Sequence, residues 1–130
     1  MLERWNPDSL HTPPGYHHVT VAQPGRLVAL AGQRPLDRAG DLVGPGDVVA
    51  QAEQVAANIA LALDSAGVTA SDVVRTVIYV RSDDREDLST VWSVLTSSSV
   101  AAAFTSAATL LGVAQLGYPG QLVEVDVTAV

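Results

Sequence analysis

The chain has 130 residues, a formal net charge of −7 and no cysteine. A length of this order makes one domain and buries roughly two-thirds of the surface that its unfolded chain exposes. The acidic balance argues against nucleic-acid partners, whose phosphates need a basic face, and disfavours anionic membranes, while the missing thiols exclude disulfides and thiolate metal sites.

Every basic side chain other than histidine is an arginine, so lysine Schiff-base chemistry and lysine-anchored cofactors are excluded as well; no cofactor is expected. Residues 1–15 carry three prolines and little periodicity, and read as an irregular N-terminal arm of a single domain spanning 1–130. The start lacks the basic end and apolar run of a signal peptide, and no apolar stretch is long enough to span a membrane. The expected location is cytoplasmic.

Residues 17–23 and 26–32 are apolar runs separated by Pro24-Gly25 and read as a β-hairpin. Asp47 is a plausible N-cap for a helix that runs to Ala66 and stops at Gly67. Val48, Ala52, Val55, Ile59 and Leu63 form its apolar stripe. Val73 to Val80 is strand-like, with Arg75 assigned to the face of Val73, Val77 and Tyr79 and in need of an acidic partner. Ser82-Asp83-Asp84 supplies cap chemistry for a second helix, whose stripe is Leu88, Val91, Trp92 and Leu95. A Ser/Ala stretch at 99–104 has no chemical content. Residues 108–116 and 121–129 read as the last two strands.

The order β-β-α-β-α-β-β implies an α+β fold, with two helices on one face of a mixed sheet and the other face bare in a monomer. The last strand alternates. Val123, Val125, Val127 and Ala129 suit packing under the helices, whereas Glu124 and Asp126 lie on the bare face. Two carboxylates on one strand face can hold or shift protons, and the ordinary alternative is a solvated sheet face. His17-His18 point to opposite sides of an extended chain and lack a zinc-binding spacing. The glycines match neither a phosphate loop nor a dinucleotide fingerprint, and no serine stands in a nucleophile elbow.

Three segments carry a resemblance. Gly25 to Asp37, with its Gly32-Gln33 corner, Pro13-Pro14-Gly15-Tyr16, and Leu122-Val123-Glu124-Val125-Asp126 together resemble the RidA/YjgF family over nearly the whole chain. The resemblance implies a chorismate-mutase-like homotrimer built around a central barrel, with small-molecule clefts between subunits and hydrolysis of reactive enamines and imines. It implies that Glu124 positions the attacking water and that Tyr16 lines the cleft. Gly32 matches a turn whose backbone N–H groups can face a ligand carboxylate, and Ala31 stands where a serine is common. Asp126 matches a second acidic position of structural role.

Two departures accompany it. Deaminating members carry Pro-Ala-Arg before the penultimate strand, and the guanidinium grips the substrate carboxylate; here Ser106-Ala107-Ala108 stand in its place. Losing such a charge-assisted pair costs about 2–5 kcal/mol when its partner is buried. Trp92 falls where asparagine is frequent, and also fits the second helix's core stripe. Arg34 is the arginine nearest to the expected cleft in sequence, and a surface arginine snorkelling from a turn is its plainer reading. Two functions are therefore expected: an enamine/imine deaminase, or a specialised ligand-binding trimer. Ribonuclease and chorismate-mutase roles both call for cationic or histidine-rich clefts that this chain lacks.

Overall fold

The computed structural model describes residues 2–23 and 25–130. Six strands and two helices follow in the order β1 (Leu2–Trp5), β2 (Val19–Ala22), β3 (Val28–Ala29), α1 (Val48–Ser65), β4 (Val73–Arg81), α2 (Arg85–Thr96), β5 (Ala107–Val113) and β6 (Val123–Ala129). The main sheet runs β3-β6-β4-β5, with β4 and β5 parallel and the other neighbours antiparallel.

The helices form where their signals stand. The Asp47 side chain accepts from the Ala50 N–H, and α1 ends at Ala66, with Gly67 at φ +74° and Val68 N–H closing onto the Leu63 carbonyl. The Asp84 side chain caps α2 through the Glu86 N–H. Each helix is a crossover between parallel strands, β3 to β4 and β4 to β5. Both crossovers carry the chain the same way across the sheet, so a shared right hand puts both helices on one face. Beneath them Val55, Ile59, Leu63, Ile78, Val91, Leu95, Phe104, Val123 and Val125 close the core.

Three expectations need correction. The hairpin over 17–23 and 26–32 does not form: β2 pairs with β1 and β3 pairs with β6. Of its turn dipeptide, Pro24 lies outside the described residues. The lead-in expected to be irregular contains β1, tied down by Arg4, which donates to Ser106 Oγ at 2.7 Å and to the Ser71 carbonyl at 2.9 Å. The Ala107 N–H donates to Thr20 Oγ1, so this two-stranded ribbon also meets the start of β5.

Val73 and Arg75 do not share a face. A register shift between them turns Val73 into the core and leaves Arg75 exposed, where it reaches the Thr109 hydroxyl at 3.4 Å rather than a carboxylate. Residues 101–105, in the Ser/Ala stretch, form a 3-10 turn that buries Ala103 and Phe104.

Candidate functional site

β6 delivers the two carboxylates as its alternation demands. Val123, Val125, Val127 and Ala129 are buried under the helices, and Glu124 and Asp126 stand on the open face. Beside them the segment after β3 runs along β6. Leu30 N–H bonds to the Val127 carbonyl, and Gln33 exchanges both backbone bonds with Val125. Three steps on one strand thus face two on the other, and the extra residue bulges at Ala31-Gly32. A side chain at Gly32 would have to displace the Glu124 carboxylate. A Cβ there would lie 2.8 Å from the Glu124 carboxyl carbon and 3.1 Å from Asp126 Oδ1.

Glu124 is held from two sides. Gln121, fully buried, donates through Nε2 to Glu124 Oε1 at 3.1 Å and to the Val123 carbonyl, while its Oε1 accepts from the Tyr118 N–H. Arg34 Nε lies 3.3 Å from the same Oε1. That N–H is buried and not aligned for a hydrogen bond, so the contact is an ion pair only. The Arg34 guanidinium sits 5.3 Å above the centre of the Tyr118 ring and donates to the Gly32 carbonyl at 3.3 Å. Asn58 of α1 fixes the backbone behind it, donating to the Arg34 and Leu36 carbonyls at 2.8 and 2.9 Å. Glu124 is 17% exposed and Arg34 36%, so the carboxylate is the more sequestered partner.

A second buried amide completes the support. Gln51 of α1 donates to the Gly44 and Gly120 carbonyls and accepts from the Leu122 N–H at 2.7 Å, locking the turn that carries Tyr118 and Gln121. Asp126 accepts from the Tyr79 hydroxyl at 3.1 Å. This bond raises the Tyr79 phenol above its ordinary 10.0, with burial and the Asp126 and Glu124 charges adding and Arg75 opposing.

Tyr16, Trp92 and Ala108 gather elsewhere. With Pro14, Ser89 and Leu110 they line a cavity of 460 Å³ between α2 and β5. Ala108 pairs with Thr76 and Leu110 with Ile78, both core-facing, so this cavity lies on the helix side of the sheet and opens at its β5 edge. The Trp92 ring meets Tyr16 edge-on at 6.3 Å and Phe104 at 6.2 Å, serving as core wall and cavity wall at once. His17 and His18 take structural roles: His17 Nδ1 donates to the Thr105 carbonyl, and His18 Nε2 to that of His11.

The expected site residues thus fall into two separate clusters on opposite faces of one sheet: Glu124, Arg34, Gly32 and Ala31, and Tyr16, Trp92 and Ala108. Gln121, Gln51 and Asn58 carry no chemical motif. Only their polarity in otherwise apolar or turn-like surroundings marks them in the sequence.

Comparison with known proteins agrees with this architecture. The family model described as Endoribonuclease L-PSP matches residues 8–130. The structure is similar to that of YyfB, a Rid-family protein of Yersinia pestis, at 32% identity and a TM-score of 0.88, over 98% of this chain and 97% of that one. It is also similar to the YjgF gene product of E. coli, at 28% identity, TM-score 0.68 and 84% coverage of both chains. A RutC family protein of Haemophilus influenzae is 39% identical over 64 residues, 49% of this chain and 48% of that one. The match thus spans about half the length of that curated relative.

Proposed function

Because the chain belongs to the Endoribonuclease L-PSP family, the RidA/YjgF proteins, we propose that it is a homotrimer whose intersubunit clefts hydrolyse reactive imines and their enamine tautomers. The observation that carries this reading is the Glu124 carboxylate, fixed by Gln121 and Arg34 above the Gly32 backbone on a face with no helix over it.

In the proposed cleft, Glu124 of one subunit faces the Tyr16/Trp92/Ala108 cavity of its neighbour. The split of the two clusters across one sheet supports this, since no single subunit brings them together. The open face also exposes apolar surface, Leu111 being 42% exposed on β5. Glu124 accepts a proton from water as the water oxygen bonds to the imine carbon and returns it to the nitrogen; it then takes the hydroxyl proton of the carbinolamine and passes it to the same nitrogen as C=O forms and the C–N bond breaks. Imine and water give a carbonyl compound and ammonia. Gln121 and Arg34 hold the carboxylate in one orientation, so little is reorganised during the reaction.

Binding without turnover is the second reading, favoured by the lack of a cation at Ala108. RNA cleavage, which the family's description names, is a poor fit for a chain of net charge −7 without lysine. The test generates imines in situ with an amino-acid or amine oxidase and traps them with semicarbazide. The reading expects the protein to reduce trapping, and Glu124→Gln to abolish the effect while leaving the fold intact. A folded wild-type protein that clears no imine supports the binding reading instead.

A further inference from the structure

We propose that the Tyr16/Trp92/Ala108 cavity takes an uncharged aromatic ring, so that the substrates of this protein are imines bearing an aryl group and no carboxylate. The inference rests on the reading above for the reaction, and on the cavity alone for the ligand's chemistry.

The six residues that line the cavity include no charged side chain; their polar side-chain groups are the Tyr16 and Ser89 hydroxyls and the Trp92 indole N–H. A carboxylate brought there exchanges water for a wall with no counter-charge, which is unfavourable without paired hydrogen bonds. The nearby arginines do not repair this. Arg34 is engaged by Glu124, Arg75 is turned to Thr109, and Arg81 donates to the Ala114 carbonyl at 3.3 Å. Within one subunit none of the three lines the cavity, and the neighbour's Arg34, which the proposed cleft brings near with Glu124, is already committed to that carboxylate. Recruiting Arg34 for a substrate anion would also strip Glu124 of its ion pair.

The shape favours a ring. Tyr16, Trp92 and Phe104 form an edge-to-face row with interplanar angles of 86° and 76°. The row continues from Tyr16 to His18 at 5.9 Å, so a guest ring does not extend it; it packs beside Tyr16 and Trp92, which both line the cavity and offer the edges and faces that aromatic pairs prefer. A volume of 460 Å³ holds a benzyl-sized group with space left for the reacting carbon toward the mouth. For such a substrate, Ar–CH=NH and water give Ar–CHO and ammonia, with the C=N bond replaced by C=O.

The test compares two ring probes that differ in charge, benzyl alcohol and benzoate, by NMR of the tryptophan indole N–H signals. Trp92 reports the cavity, and Trp5 on β1 is the internal control. The expected result is a saturable shift of the Trp92 signal with benzyl alcohol, and binding of benzoate weaker by about tenfold or more. Ala108→Arg should reverse that order, and Ala108→Leu, which fills the cavity without adding charge, should remove both shifts. Equal or tighter binding of benzoate to the wild type overturns the proposal, as does a Trp92 signal that benzyl alcohol leaves unmoved.

Turnover supplies a separate arm. Benzaldimine formed from benzylamine should be cleared faster than 2-iminopropanoate formed from alanine. The reverse order contradicts the proposal. Clearance of neither imine counts against hydrolysis, and the probe preference still decides what the cavity accepts.

Discussion

Gly32 is where backbone and chemistry meet. A methyl group there collides with the far end of the Glu124 side chain rather than with backbone, so the side chain can swing away while the fold stays put. Gly32→Ala is therefore expected to stay within about 1 kcal/mol of wild-type stability and to lose imine clearance, as measured by thermal melts beside the trapping assay. Gln121 behaves differently. Gln121→Leu leaves the Tyr118 N–H and the Val123 carbonyl without their buried partner, at about 1–3 kcal/mol, visible as a lowered denaturation midpoint. Glu124 itself was legible in the sequence, because strict alternation on the last strand separates it from the valines. Gln121 and Asn58 were not. Their importance comes from what they reach across the fold, namely Glu124 and the Arg34 carbonyl, and neither reach leaves a trace in local pattern.

Tyr79 gives the residue scale a pH signature. Its folded-state value lies above 10.0, chiefly because the phenol donates to Asp126. The stabilisation is fully present below pH 10 and is lost as the pH rises through the raised value, since the unfolded chain releases its proton first. Spectrophotometric titration should show a tyrosine ionising above the ordinary phenol value, and Asp126→Asn should bring it back toward that value.

At the level of elements, α1 and α2 were legible because caps, stripes and the stop at Gly67 all agree. The strands' partners were not. A Pro-Gly step between two apolar runs signals a hairpin, yet β3 prefers the edge of β6 and β2 the otherwise unpaired β1. Pairing is decided by distant segments, and local turn chemistry cannot weigh them. The same holds for Arg75, whose face follows from a bulge that period-two counting passes over. Phe104 ties the 3-10 turn to the core, being 1% exposed against Trp92. Phe104→Ala should cost about 3–5 kcal/mol, read from chemical denaturation, with loss of the Trp92 environment in fluorescence.

For the whole molecule, the bare sheet face is the deciding feature. The helices cover one side of the sheet, and the other presents Leu111, Val77 and the two carboxylates. In the proposed trimer, copies of the chain cover that face and bring the two clusters together. Light scattering should give three times the 13.5 kDa chain mass. Leu111→Arg, which places charge on that face, should yield smaller species and abolish turnover without touching either cluster. No helix among the described residues is long and apolar enough to cross a membrane.

The most direct measurement is the rate of semicarbazide trapping of benzaldimine with wild-type protein and with Glu124→Gln, both confirmed as folded and of equal mass in solution. Accelerated loss of the imine with the wild type and none with the variant is the predicted result. Equal rates for the two proteins, with or without acceleration, would contradict the role given to Glu124.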